Sequence, residues 1–536
     1  MKHILKGFLI LFACCFSFFS CDDFLTTPPL DQIGEEQWWS DKAQVSMMVN
    51  NAYTHLPNHQ DIVLSDCMTD NATHRDAARK DVGNGTYTSQ NSIITGQWKY
   101  SSIAHLNYII EGIEKAKKNL SESEYKQFNA EVRFIRAYIY YYMLFYYGDV
   151  PLITKTLTVS ESRQTSRQPR SEVLSFVLSE LEDYVLANID AIETNETGRV
   201  NKHVVNAFLT RVHLYEKNYD KAISYADAVI NSNIFELHPS YDELFRPQWD
   251  GKNKEVIFER QYSSPLYVHS LNRDLSPASS IYGGWSHVLP LQELVSEYEC
   301  VNGHNIDECD QYNCQYSKVR KAHEFDDDRG EYMFRDPRLK ATVMYPFYKW
   351  EVNGKIISTF GVDDPGSKDY VKQETHMTGY LVTKWVDLQG EFADRTRSSK
   401  NITLIRYADI LLMKAEALIE KNENLQQAQS LINQVRLRAG MPEINGAGQA
   451  DLRTKLRHER RLETAFEGLR YFDIIRWGIG KEVKNGKVYG ARMKAVSDNM
   501  DNKFIEDRFW DEKMNLYPVP QAALDNNSNL TQNQGW

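Results

Sequence analysis

Tyr407-Ala-Asp-Ile-Leu-Leu-Met-Lys-Ala-Glu-Ala-Leu-Ile-Glu-Lys421, followed after three polar residues by Leu425-Gln-Gln-Ala-Gln-Ser-Leu-Ile-Asn-Gln-Val-Arg-Leu-Arg-Ala439, reads as the two helices of one hairpin. Apolar side chains recur at helical spacing in both segments. Gly440 and Pro442 close the second, the usual punctuation past a helix end. The same pattern returns upstream in Lys202–Glu216 with Tyr219–Asn231, and again in Trp98–Lys118 with Tyr125–Tyr147. This earliest pair breaks at Asn119-Leu120-Ser121, where Ser121 and Glu124 have capping-box spacing. Gly148-Asp149-Val150-Pro151 ends its second helix.

Tyr219, Ala222 and Ala226 repeat the offsets of Leu425, Ala428 and Ile432. A small residue at that place lets a neighbouring helix approach closely. The pairs resemble tetratricopeptide-type hairpins, scattered along the chain rather than in tandem. The expected fold is therefore mainly α, a tetratricopeptide-type hairpin scaffold with a loop-rich, irregular half. That irregular part runs roughly from residue 235 to 400. Its strand-like runs, such as Glu255–Glu259 and Gly379–Thr383, are short and isolated, and Gly, Pro, Asn and Asp clusters such as Tyr282-Gly-Gly-Trp285 surround them. Long loops on a rigid scaffold are where binding usually resides.

Composition limits the partners. The 536 residues are 42% hydrophobic and 25% charged, which excludes a disordered chain. A formal charge of -11 argues against a nucleic-acid backbone or an anionic bilayer as the main partner. The first twenty residues are an address. Lys2 and Lys6 form a short positive region, and Ile4 to Phe19 is almost continuously apolar, too short to span a bilayer comfortably. The run ends Phe18-Phe19-Ser20-Cys21 and resembles a bacterial lipoprotein signal, with the lipid expected on Cys21, although Phe18 departs from the usual Leu. The competing reading is an ordinary secretory signal with an incidental cysteine.

Other chemistry finds little support. Cys300, Cys309 and Cys314 cluster with His304 and His323 nearby; zinc usually takes closer pairs, so a loop disulfide is the favoured reading and the pairing stays open. No resident metal or other cofactor is expected. Asp326-Asp327-Asp328 could hold calcium, though a solvated acidic turn is the commoner explanation. His458-Glu459 opens like a zinc-protease helix, but Leu462 stands where the second histidine is required. Glu459, Glu463 and Glu467, interleaved with Arg457, Arg460 and Arg461, read as ion pairs bracing a helix rather than as catalytic carboxylates. Neither a phosphate-binding loop nor a nucleophile elbow occurs.

Several runs together resemble the SusD/RagB family of Bacteroidetes outer-membrane lipoproteins. They begin with Cys21-Asp-Asp-Phe-Leu25, Thr27-Pro28-Pro29, Ala130-Glu-Val-Arg-Phe-Ile-Arg-Ala-Tyr138 and Tyr147-Gly-Asp-Val-Pro-Leu152. Pro290-Leu-Gln-Glu-Leu-Val295, Asn302-Gly303 and Arg335-Asp-Pro-Arg-Leu339 follow. Leu404–Ala417, Glu459–Glu463, Phe466–Asp473, Arg476-Trp477, Leu516–Pro520 and Asn529–Trp536 complete the series in the family's order. The resemblance implies a surface-exposed lipoprotein that captures oligosaccharides and delivers them to a SusC-like TonB-dependent transporter, sitting over its barrel as a lid. With that resemblance, residues 1–20 are expected to be a signal, and 21–280 and 281–536 two halves packed as one unit. Capture without catalysis is the expectation, with no nucleic acid involved. Two alternatives stand beside it: a RagB-like member of the family that binds oligopeptides, and a surface glycoside hydrolase, which would need two carboxylates across a cleft.

A sugar site needs flat aromatic plates plus hydrogen-bonding side chains, because sugars present C–H faces edged by hydroxyls. Tyr282 and Trp285, on the glycine-bearing loop, fit the first need, with Trp350 and Trp98 as further candidates. Asp66, Asp70, Asn71, Thr73, His74 and Arg75 fit the second; of these Asp66, Asn71 and His74 are taken as ligand candidates. Against this, most of the ten tryptophans would ordinarily be packing residues.

Overall fold

The computed structural model describes residues 39–189, 198–280, 282–322, 331–352, 355–361, 366–368, 370, 377–392, 394–446, 448–492 and 502–536. Cys21, His323 and Asp326–Asp328 lie outside the described residues.

Helices dominate, and the three hairpins are present. The first pairs Tyr100–Ala116 with Glu122–Tyr147. Ser121 Oγ accepts from the Glu124 amide at 3.3 Å, and the Ser121 amide donates to the Glu124 carboxylate at 2.9 Å, so the capping box starts the second helix. Trp98 falls before the first helix rather than inside it. The second hairpin is Lys202–Tyr215 with Tyr219–Ile230, and the third Tyr407–Lys421 with Leu425–Arg438. Asn422, at φ 58°, ends the first helix of the third in the left-handed region that Asn tolerates.

Hairpins far apart in sequence stack in space. Helix Tyr219–Ile230 lies along helix Tyr407–Lys421. Ala222 and Ala226 are fully buried there, and Ile223 and Ile230 pack onto a cluster that includes Ala408, Leu411, Ala415, Ala428 and Ile432. The alanines permit the approach, and burial of the aliphatic side chains, at roughly 25 cal/mol per Å² of apolar surface, rewards it. A larger core draws residues from Trp39 to Tyr517.

Among the described residues the strands form five two-stranded antiparallel ladders. Two of these organise the molecule. Val256–Arg260 pairs with Ile402–Arg406, and Ala72–His74 pairs with Val288–Pro290 in the register Ala72 to Pro290, Thr73 to Leu289 and His74 to Val288.

Glu459, Glu463 and Glu467 form no ladder along one helix; their partners come from elsewhere. The helix spans Gln449–Glu463, so Glu467 lies beyond it. Arg338 donates to Glu459 and, at 3.0 Å, to Glu463. Arg406 donates to Glu255 and Glu463 at 2.7 Å and to Glu467 at 2.6 Å. Arg436 reaches Glu459 at 3.0 Å, and Arg438 reaches Glu463 and Glu255. All of these residues are buried except Arg438, which is half-buried as a whole although its side chain is only 4% exposed. Burial alone would raise the Glu463 carboxyl, but Arg438, Arg406 and Arg338 together hold it well below the usual carboxylate range. Unpaired, such charges would be costly; paired, they clamp the strand at 402–406 and the segment around Arg338 to this helix. Among the described residues no helix is long and apolar enough to cross a membrane.

Candidate functional site

The pairing of Ala72–His74 with Val288–Pro290 brings the early polar segment beside the glycine-bearing loop. One step past the ladder the Arg75 amide donates to the His287 carbonyl at 3.1 Å, and the Arg75 guanidinium donates to the Trp285 carbonyl at 2.8 Å. Trp285 is thereby held outward. Among the described residues it is the one exposed tryptophan, at 44%.

Cations and a second ring surround the indole. The Arg273 guanidinium carbon lies 4.6 Å from its ring centre and that of Arg395 5.6 Å away. The His287 ring stands 5.3 Å off and tilted. Arg273 is fixed by Asp274, through contacts at 2.9 and 2.8 Å, and Arg395 donates to the Gly283 carbonyl at 2.7 Å. Burial opposes the Asp274 charge, but the His287 bond, Arg273 and Ser270 outweigh it and hold the carboxyl below its ordinary value. Cations at an aromatic face are attracted by the ring quadrupole, so the indole is both oriented and ringed by N–H donors.

Tyr282 has a different part. It is half-buried, and its hydroxyl donates to Asp387. Burial first, and then the neighbouring Asp387 carboxylate, push the phenol pKa well up, so the proton stays on the oxygen. Asp387 also accepts from the amides of Gln389 at 3.1 Å, Gly390 at 3.0 Å and Phe392 at 3.2 Å. One carboxylate thus ties the Tyr282 loop to the 387–392 turn, and Tyr282 serves more as a pin than as an open plate.

Four other candidates are placed differently from expectation. Trp350 is only 1% exposed, in the main core, and offers no face to solvent. Asp66 and Asn71 are fully buried and His74 nearly so. Asp66 accepts from Asn71 at 2.9 Å and from the Phe466 amide at 2.7 Å, while Asn71 accepts from Arg461 at 3.0 Å. Phe466 sits at φ 60°, an uncommon conformation for a side-chain-bearing residue, and the Asp66 bond holds that turn. His74 Nδ1 accepts from the Asp76 amide at 2.8 Å. Asp66 and Asn71, which precede the 72–74 strand, are turned inward as braces toward Phe466 and Arg461, and His74 at the strand's end is turned inward with them. Trp98 is half-buried, packed on Tyr100 and Tyr147 at ring distances of 5.0 and 4.8 Å.

Sequence reasoning missed Arg273, His287, Asp387 and Arg395. Asp387 with Gly390 three residues on has turn spacing and could have been noticed; the arginines carry no local signal. It also missed a cleft of about 550 Å³ lined by Tyr53, Arg199, Arg260, Gln261 and Tyr267, a volume in the range of small-molecule sites. Tyr267 stacks on Tyr262 at 4.9 Å and accepts from Arg260 at 3.0 Å, so one ring face and the hydroxyl are already engaged. A cavity of about 60 Å³ beneath Tyr138 and Tyr142 is too small for a sugar ring.

The helical-hairpin scaffold thus presents, among the described residues, one exposed tryptophan on a pinned loop. The chain belongs to the SusD family, whose model matches residues 254–536, and residues 28–214 match a second model described as starch-binding and associating with the outer membrane. It is 25% identical to SusD-like protein P2 of Formosa agariphila over 96% of both chains. It is 22% identical to the starch-binding protein SusD of Bacteroides thetaiotaomicron, over 82% of this chain and 78% of that protein. A crystal structure of a SusD-like carbohydrate-binding protein from Bacteroides fragilis superimposes with a TM-score of 0.82 at 26% identity, covering 92% of this chain and 100% of the other.

Proposed function

We propose that this protein captures a glycan at the cell surface through the Trp285 face, does not cleave it, and delivers it to a SusC-like TonB-dependent transporter in the outer membrane. Family membership supports the ligand class, and the exposed indole among guanidiniums is the single observation that carries the site. An indole takes the C–H face of a sugar by apolar contact, while Arg75, Arg273 and Arg395 supply donors to hydroxyl or acidic substituents at its rim. The exposed ring favours a glycan over the oligopeptide reading. The most conspicuous carboxylates, Glu459, Glu463 and Glu467, are neutralised inside the protein, which disfavours the glycosidase reading.

Isothermal titration against a panel of polysaccharides is the direct test. Heat with at least one glycan, lost in Trp285→Ala, is the expected result, and silence across the panel sinks the reading. Lipid on Cys21 is the proposed tether. Cys21→Ala is expected to release the protein from the membrane fraction, and retention there overturns the anchor. Co-purification with a large barrel protein tests the delivery step, and its absence after mild crosslinking counts against it.

A further inference from the structure

The Sγ atoms of Cys300, Cys309 and Cys314 all lie within 4.8 Å of one another, and the three residues are buried. Each is an unbridged thiol. A disulfide could consume two of the sulfurs and would leave the third stranded beside them, whereas a metal ion uses all three. A fourth group is aimed at the cluster: His304 Nδ1 lies 3.1 Å from Cys314 Sγ. The His304 ring is stacked on Tyr312 with centres 4.1 Å apart and planes 9° from parallel, which limits its rotation.

The backbone folds each ligand segment into a short turn. The Cys300 amide donates to the His304 carbonyl at 3.0 Å, and the Gly303 amide returns to the Cys300 carbonyl at 2.8 Å. The Cys314 amide donates to the Cys309 carbonyl at 3.1 Å. Cys309 and Cys314 are separated by four residues, wider than the commonest zinc pairs but still at the upper end of the spacing zinc ligands use. Tetrahedral zinc with Zn–S bonds of about 2.3 Å would set the sulfurs about 3.8 Å apart, a separation inside the 4.8 Å that bounds the cluster.

We propose that Cys300, Cys309, Cys314 and His304 form a structural zinc site. Three thiolates and an imidazole are a closed ligand set for this ion, and sulfur donors disfavour calcium or magnesium. Local packing shows why the segment needs a staple. Its core consists of Cys300, Ile306, Cys309, Cys314 and Tyr316 and is separate from the two larger clusters. Among the described residues, only Ile306 and Tyr316 join the cysteines in it, a small apolar cluster for a segment of this length. Fixing Cys300 also steadies the adjoining Glu299, which accepts from Arg436 of the third hairpin at 2.7 Å.

Metal analysis of the full-length protein purified without chelator is expected to give about one zinc per chain, and near zero for Cys309→Ser and for Cys314→Ser. Should those variants fold poorly, His304→Gln keeps all three sulfurs; it is expected to lose zinc to a competing chelator at least about tenfold more readily. Stripped protein given Co²⁺ is expected to develop sulfur-to-cobalt charge-transfer absorption, and the three thiols to resist alkylation until the metal is removed. A metal-free protein with a disulfide joining any two of these cysteines overturns the site, as does a metal-free protein whose three thiols alkylate freely. One equivalent of copper or iron in place of zinc overturns the assignment of the ion.

Discussion

Arg470 grips Asp70 with both arms of its guanidinium, Nε at 2.8 Å on one carboxylate oxygen and Nη2 at 2.7 Å on the other, across 400 residues of sequence. Arg461 adds a contact to the same carboxylate at 2.9 Å. All three residues are buried. Burial works against the Asp70 charge, yet Arg461 and Arg470 hold its carboxyl far below the ordinary range. The early polar segment is therefore tied into the C-terminal half by its charges, and Asp66 and Asn71 follow it inward.

Removing that carboxylate strands two buried guanidiniums. Asp70→Asn is expected to cost on the order of 3–5 kcal/mol of stability, read by denaturant unfolding. A cost below about 1 kcal/mol would mean that the pair does not join the halves.

Trp285→Ala removes the exposed ring without opening the core. On the proposed function it is expected to weaken glycan binding by about 1.5 kcal/mol, roughly tenfold, while thermal stability stays within about 0.5 kcal/mol of wild type. Tyr282→Phe keeps the ring and cuts the bond to Asp387. It is expected to weaken binding less, by loosening the loop, and equal losses in the two variants would contradict the pin role.

Acid should loosen the protein through Asp409. Burial opposes its charge, but Arg460 and Arg211 bring its pKa down to about 2, below the unfolded value of about 3.9. The folded-state pKa is the lower one, so the stabilisation is present at neutral pH and is lost as pH falls from about 4 through about 2. Asp66 runs the other way: burial raises it to about 6, outweighing the bonds from Asn71 and Phe466. Its contribution is full below about 4 and fades as pH rises through about 6. Asp409→Asn is expected to flatten the acid limb of a melting-temperature profile, and Asp66→Asn to be least disruptive above pH 6 relative to wild type.

Lys484 is buried, with its ammonium 3.4 Å from the Val82 carbonyl and 5.0 Å from the Trp510 ring centre. Burial, and then Arg508, depress its pKa to about 7. A depressed lysine costs stability fully below about pH 7, and the cost vanishes near the unfolded value of about 10.4. Lys484→Met is expected to stabilise the fold by about 1–3 kcal/mol at pH 6 and by little at pH 10. The reverse pH trend in melting temperature would refute this account.

The helical hairpins were legible because their evidence is local. Ser121 and Glu124 cap one helix wherever they occur, and the period of Tyr407–Lys421 needs no knowledge of what lies across from it. Glu459 and Glu463 show the boundary of that reasoning. Their i,i+4 spacing suggested partners on the same helix, but Arg338, Arg406 and Arg438 arrive from other elements and claim them. Likewise the Cys300, Cys309 and Cys314 spacing favoured a loop disulfide over a metal, whereas the fold leaves all three as unbridged thiols, and only three-dimensional convergence shows their sulfurs within 4.8 Å of one another.

The sequence by itself determined the hairpin scaffold, the acidic balance and the glycine-bearing loop, because periodicity, charge and turn chemistry are written within a few neighbouring residues. Which polar side chains brace the interior and which ring meets solvent was decided only by tertiary structure. Trp285 and Trp350 are the same residue type in the same irregular half, one 44% exposed and the other 1%. The difference lies in what packs over each ring from distant parts of the chain. Burial belongs to that long-range arrangement, and no local pattern carries it.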